Sequence, residues 1–433
     1  MSVDVEALKA KLAQVSTLRP TGRVLGVTGL SLRFMMPGVR IGDVVTVRRR
    51  GIPLACEVVG FDRGEAIGMP LGVLSGVGPD DEVESTGAPF QVRASDGLLG
   101  RVLDGLGRPF DGGPPVEGEW VQVDREPPTA LGRRPVAKPL ATGVRVIDGL
   151  LTLGEGQRVG LFAGSGVGKS SLLGAVARGA EADVVVVALV GERGREVGEF
   201  LDGALGAEGR KKSVVVVATS DVAALERLRA AQVATAYAEH FRDRGARVLL
   251  LVDSVTRCAR ALREVGLDAG EPPTRRGYPP SVFAMLPRLL ERAGQGPTGS
   301  ITAMYTVLVE GCDMDEPIAD EVRGILDGHI VLDRGIAARG RYPAVDVTVS
   351  LSRVMDGIVG KEHREAARRL RTLVATHEAK RDLVSLGAYT PGKDKELDEA
   401  LSRMGRIEAF LQQGSAEKSG LAATLAALVQ AVG

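Results

Sequence analysis

The feature that most constrains this chain is Ala163-Gly164-Ser165-Gly166-Val167-Gly168-Lys169-Ser170, set between the apolar run Arg158–Phe162 and a helical pattern, Ser171-Leu172-Leu173-Gly174-Ala175-Val176. Strand, glycine-rich loop and helix in that order form the context of a P-loop. Such a loop brings backbone N–H groups close enough to cradle triphosphate oxygens, and the helix N-terminus adds partial positive charge. Residues 163–171 are then the ATP-binding loop, with Lys169 on the β- and γ-phosphates and Ser170 on Mg²⁺. The strict pattern has glycine where this chain has Ala163, which fits only if its φ stays negative. The rival reading is a chance glycine-rich turn between strand and helix.

The rest of the chain divides around that loop. From Gln157, strand-like runs (Arg158–Phe162, Val184–Val190, Val214–Thr219, Arg247–Val252, Ser300–Val307) alternate with helical segments, which predicts βαβ units around a mainly parallel sheet. Upstream, residues 21–90 hold short β-rich runs punctuated by Gly and Pro (Arg23–Val27, Val44–Val47, Cys56–Phe61, Glu82–Ser85) and predict a small β-barrel. The Arg48-Arg49-Arg50 run reads as a solvated hairpin tip or, less simply, as a nucleic-acid contact. Leu103–Pro115 is so rich in Gly and Pro that it predicts an irregular connection between domains. The central α/β domain is assigned to 91–360. After Gly360 the β-rich runs stop, and Lys361–Leu386, Glu396–Gln413 and Leu421–Val432 predict a helical C-terminal domain over 361–433. Residues 1–20 carry Val5, Leu8, Leu12 and Val15 on one helical face, either packed on their own domain or docked to a partner or a membrane surface.

Composition narrows the function classes. Lys+Arg and Asp+Glu both number 55, so no global field draws the chain to nucleic acid or acidic lipid. Aromatics at 3% argue against a base-stacking surface, and 21–90 offers only Phe34, Phe61 and Phe90. The longest apolar runs are strand-length, and the first residues lack a basic stretch followed by an apolar one, so a cytoplasmic location is expected. Cys56, Cys258 and Cys312 are too scattered for a disulfide framework or a metal site and read as plain thiols.

Two acids complete the candidate chemistry. Asp253 closes the run Arg247–Val252, so it belongs at a strand's carboxyl end, where open α/β sheets bind ligands. It fits a Walker B acid holding Mg²⁺ through water; the plainer alternative is a cap on the following helix. Glu192 ends the run Val184–Val190 and fits a carboxylate that orients the attacking water. On the residues alone, a solvated charged loop accounts for Glu192 equally well.

Together with the loop, Gly-Glu-Arg-Gly-Arg-Glu-Val at 191–197, Asp-Ser-Val-Thr-Arg at 253–257 and Gly-Tyr-Pro-Pro-Ser-Val-Phe at 277–283 resemble the rotary-type ATPases of type III secretion. So do the stretches 315–332, Tyr-Pro-Ala-Val-Asp at 342–346, Ser-Leu-Ser-Arg-Val-Met at 350–355 and Phe-Leu-Gln-Gln at 410–413. The resemblance spans nearly the whole chain from the barrel onward and implies a RecA-like central domain. It also implies a homohexamer related to the F-type ATP synthase catalytic subunit, with nucleotide at subunit interfaces. Position by position it makes Glu192 the catalytic carboxylate, sets Arg193 near the phosphates, stacks Tyr342 on adenine and makes Arg353 the arginine finger for a neighbour's γ-phosphate. The partners implied are a stator-like regulator at 1–20, a central stalk protein near Gly387–Leu401, chaperone–substrate complexes and an export gate at the inner membrane, with no nucleic acid. The stretch 309–321 resembles the injectisome branch more than the flagellar export branch. Cys312, where an acid is expected, and Gly198, where a basic residue is usual, depart from the pattern. The alternatives are a flagellar export ATPase, a hexameric RNA translocase of the transcription-terminator type, which also carries an Asp-Ser-Val-Thr-Arg-like stretch, and a non-catalytic nucleotide-binding ring subunit, against which Glu192 argues.

Overall fold

The computed structural model describes residues 20–309 and 313–433, so the amphipathic stripe expected within 1–20 and the Cys312 thiol lie outside the described residues. Strands β1 (Thr21–Thr28), β2 (Ser31–Met35), β3 (Asp43–Arg48), β4 (Leu54–Asp62), β5 (Glu65–Pro70) and β6 (Glu82–Pro89) close into a barrel in the order β1-β2-β5-β4-β3-β6. Alternate residues, including Leu32, Phe34, Val45, Val47 and Val83, fill its interior. The sequence signals β1, β3, β4 and β6. In β2 and β5 charged residues and a glycine interrupt the apolar pattern, and the glycine has a packing reason. A Cβ on Gly68 would lie 2.9 Å from the Phe34 ring. The Arg48–Arg50 run is pinned, with Arg48 paired to Glu84 and Arg49 donating to the carbonyls of Ile52 and Ser75.

Beyond the barrel, β7 (Gln91–Ala94) pairs with β9 (Glu119–Gln122), and β10 (Pro139–Leu140) pairs with β11 (Leu153–Gly154). The central sheet uses β8 (Val102–Asp104), β12 (Arg158–Ala163), β13 (Val184–Glu192), β14 (Ser213–Thr219), β15 (Arg247–Asp253), β16 (Gly294–Gln295), β17 (Ser300–Leu308), β18 (Gly328–Leu332) and β19 (Leu351–Ser352). Its order is β19-β18-β12-β17-β15-β13-β14-β8, parallel except at the β19 edge, with β16 antiparallel to β17. Helices cover both faces, which is why β13 is apolar from Val184 to Val190 rather than alternating. Val185, Val187 and Leu189 join a core with Leu172, Leu173 and Val176 of the helix after the P-loop, while Val186, Ala188 and Val190 join another with Ala234, Tyr237 and Phe241.

One expectation is corrected here. Leu103 and Asp104 are not part of an irregular connection but belong to β8, which pairs in parallel with β14 at the sheet's edge. Three residues are too few to show a periodicity, and their conformation is set by the neighbouring strand rather than by local pattern.

The barrel rests on the central domain through Met69 and Leu71 against Ala224, Leu225, Leu228, Ala261 and Val265. Beside them the Glu57 carboxylate accepts from Arg229 Nε at 2.9 Å, both side chains being buried. Helices Lys361–Ser385, Lys395–Leu411 and Leu421–Val432 form the C-terminal region, and Leu370, Phe410 and Leu428 extend the core of the P-loop face. The second starts at Lys395 because the Asp394 carboxylate caps it, accepting from Leu397 N–H at 3.1 Å. Among the described residues no helix is long and apolar enough to cross a membrane.

Candidate active site

The carboxyl ends of β12, β15 and β13 open on one edge of the sheet, the edge where parallel α/β sheets form ligand crevices. Ala163 ends β12 and is not among the positive-φ residues, so the condition set by its departure from glycine is met. Gly166 (φ 78°) and Gly168 (φ 89°) hold left-handed conformations that make the loop turn tightly into helix Lys169–Gly179. The loop borders a cleft of about 500 Å³, lined also by Ser170, Ser171, Glu192, Arg193 and Glu196.

At the mouth of the loop the Lys169 ammonium bridges two acids, 3.4 Å from Glu192 Oε1 and paired with Asp253. Asp253, at the end of β15, is 2% exposed and also accepts from the Thr306 hydroxyl at 2.7 Å. It therefore lies behind Lys169 rather than in the cleft wall. Glu192 reaches the cleft through a bulge: the pairing of β13 with β14 shifts register between Val190 and Glu192, and Gly191 between them has φ 67°. Arg257 holds this bend, donating to the Gly191 carbonyl and lying 3.3 Å from Glu192 Oε2. Burial pushes the Glu192 carboxyl up to about 7 despite Lys169, and its hydrogen bond with Glu196 pushes the same way. Glu196 is lowered by that same bond. A carboxyl whose pKa lies near neutrality beside a glycine-rich loop of this kind suits a group that positions and polarises water.

Ser170 lines the cleft. Among the described residues no group of three or more His, Cys, Asp or Glu is placed to hold a metal by itself. The donors at hand are a hydroxyl and two carboxylates, all hard oxygens, which fits an ion such as Mg²⁺ that keeps waters and takes substrate phosphates as ligands.

The other sequence-derived candidates separate. Arg193 lies at the cleft rim with its side chain 75% exposed, 3.6 Å from Glu196. Tyr342 stands against the other end of the loop, where a Cβ on Gly168 would meet its ring at 3.2 Å. It walls an apolar slot with Leu172, Ala175, Pro343 and the 413–417 segment, and its carbonyl accepts from Gln413 N–H at 2.8 Å. Arg353 is not brought to this cleft. It follows β19 at the sheet edge, exposed, its N–H bonded to the Asp327 carbonyl at 3.0 Å.

Several cleft residues carry no role in the sequence reading. Arg257 and Glu196 lie inside the motifs that carry the resemblance, so their position was visible there. Ser415 and Glu417 of the slot, and Arg260 and Arg334 of the cleft, have no such signal.

Comparison with known proteins agrees with this architecture. Residues 143–352 match the nucleotide-binding domain of the ATP synthase alpha/beta family, and residues 359–430 match the T3SS EscN ATPase C-terminal domain. A type 3 secretion system ATPase of Xanthomonas euvesicatoria is 52% identical, over 96% of this chain and 95% of that protein. A flagellum-specific ATP synthase of Bacillus subtilis (strain 168) is 50% identical, over 95% of each. The structure of the assembled ATPase EscN from the enteropathogenic E. coli type III secretion system superposes with a TM-score of 0.90 at 46% identity, covering 95% of this chain and all of that one. The same ATPase in complex with its central stalk EscO gives a TM-score of 0.88.

Proposed function

The chain belongs to the ATPases of type III secretion, within the ATP synthase alpha/beta family, and from that premise we propose that it works as a homohexameric ring that hydrolyses ATP to energise protein export. In this reading the ring releases chaperones and unfolds exported chains at an export gate on the cytoplasmic face of the inner membrane. The observation that carries the chemistry is the Lys169 ammonium held between Glu192 and Asp253 at the mouth of a P-loop.

The N–H groups of 164–170 cradle the phosphates, Tyr342 and the apolar slot take the adenine, and Lys169 and Arg193 balance charge on the terminal phosphate. Glu192, ionised, orients the attacking water. Mg²⁺, held by the Ser170 hydroxyl with Asp253 acting through water, would neutralise charge on the phosphate oxygens. Arg353 completes the site of the neighbouring subunit, a role supported by its exposed place away from its own cleft. A central stalk partner is supported by the EscN–EscO complex, and residues 1–20 are assigned to a stator-like regulator. The injectisome branch is favoured by the match of 359–430 to the EscN C-terminal domain; the flagellar relatives of nearly equal identity support the export role without the branch.

The test mixes two variants, Arg353→Ala and Glu192→Gln, each expected to be nearly inactive alone with Mg-ATP. A missing arginine finger removes roughly 10³–10⁵ in rate. Mixed rings place an intact Glu192 site beside an intact Arg353, so hydrolysis returns. Subunit exchange without recovery would refute a site shared between chains.

A further inference from the structure

Lys169, Arg193 and Arg257 all line the cleft, and each is paired with a carboxylate, Asp253, Glu192 or Glu196. Arg334 lines it too, yet its guanidinium makes no hydrogen bond or ion pair among the described residues. Its place is fixed by the frame of the sheet. β18 runs parallel beside β12 with Leu332 in register with Ala163, so the chain leaves β18 at the same edge as the P-loop. Asp333, which follows, spends its carboxylate as a cap, accepting from Ile336 N–H at 2.7 Å, and its N–H is bonded to the Ala344 carbonyl. The adjacent acid is thus turned into the backbone, and Arg334 begins the next turn facing the loop.

Its guanidinium lies 3.4 Å from where a Cβ on Gly164 would sit. Gly164, unlike Gly166 and Gly168, does not have a positive φ, so no left-handed turn demands glycine there. A Cβ there would meet the guanidinium at ordinary van der Waals distance, so the value places Arg334 directly beside the start of the loop without requiring glycine at 164.

The orientation of a bound nucleotide follows from the two ends of the loop. The apolar slot of Tyr342, Leu172 and Ala175 lies at the Gly168–Ser171 end, so the phosphates run from there toward Gly164, where Glu192, Val309 and Arg334 border the cleft. Resting on the assignment of this cleft to ATP, we propose that Arg334 is a same-chain ligand of the terminal phosphate, and that it makes the site bind ATP more tightly than ADP. It is a cation supplied by the subunit that holds the nucleotide, distinct from the arginine assigned to the neighbour.

The experiment measures binding of Mg-ADP and of a Mg-bound non-hydrolysable ATP analogue to the full-length chain, as wild type, Arg334→Gln, Arg334→Lys and Lys169→Ala. A charged hydrogen bond lost from the terminal phosphate weakens the triphosphate roughly tenfold in Arg334→Gln and leaves ADP within about twofold of wild type. Arg334→Lys, which keeps the charge and loses the planar fork, falls between. Equal weakening of both nucleotides, or of neither, overturns the inference while leaving the ATP site standing, provided Lys169→Ala weakens both. If Lys169→Ala leaves both unchanged, the assignment of the cleft to ATP fails and Arg334 falls with it.

Discussion

Replacing Lys169 by alanine probes more than phosphate binding, because the ammonium also pairs with two buried acids. The side chains of Lys169, Glu192 and Asp253 are 13%, 10% and 3% exposed, so solvent screening is weak. A charge pair at this separation is worth about 4 kcal/mol at an effective dielectric near 20, of which desolvation takes back a large share. Removing the cation while leaving both carboxylates buried should cost about 3 kcal/mol, the low end for a broken buried pair, because the Thr306 hydroxyl and Arg257 still serve Asp253 and Glu192. For a unit of 150–250 residues that is a fall of about 6–12 °C in the transition of the nucleotide-binding domain. The pH dependence gives a second, independent readout. Lys169 pulls the Glu192 pKa down, so the variant's Glu192 rises further above its unfolded value. A carboxyl with a raised folded pKa favours the folded state below its unfolded pKa and loses that advantage as pH climbs through the folded one. The deficit of Lys169→Ala against wild type should therefore widen from about pH 6 to pH 8.5. The assay is thermal unfolding followed by circular dichroism without nucleotide at both pH values. A deficit under about 1 kcal/mol that does not change with pH would refute the bridged arrangement.

Glu192 is pushed up to about 7, so kcat/KM for Mg-ATP should fall as pH drops through that value and Glu192 takes a proton. Glu196→Gln should move the inflection to lower pH, because the Glu196 hydrogen bond helps raise Glu192; a profile flat between about pH 6 and 8 would remove Glu192 from the water-orienting role. At the barrel joint, Glu57→Ala leaves Arg229 buried with only the exposed Asp124, 3.0 Å away, as a counter-charge. A loss of about 3 kcal/mol is expected in thermal or urea unfolding, whereas Glu57→Leu with Arg229→Met should be nearly neutral. A cost near zero for the single change would contradict the burial of the pair.

The parts of this protein that local chemistry determines were legible along the chain. Glycines at 166 and 168 are needed where the backbone turns left-handed, apolar runs mark strands covered on both faces, and a carboxylate after such a run lies at the ligand edge of the sheet. The third C-terminal helix, Leu421–Val432, was bounded to the residue, since its apolar face and the preceding glycine act within a few turns. Local pattern does not say which strand lies beside which. β2 and β5 are strands because the barrel closes on them, and β8, read as irregular, is ordered by hydrogen bonds to β14, more than a hundred residues away. The same holds in the site. The slot brings 413–417 to the P-loop, β18 delivers Arg334 to Gly164, and the close approach of β12, β15 and β13 sets Lys169 between two acids. Arg353, near in sequence to Tyr342, is carried to the opposite margin by β19. Such juxtapositions depend on how crossovers pack helices on a twisted sheet. The buried area, shape and charge that decide that packing are summed over residues distant in the chain, so no window of sequence contains them.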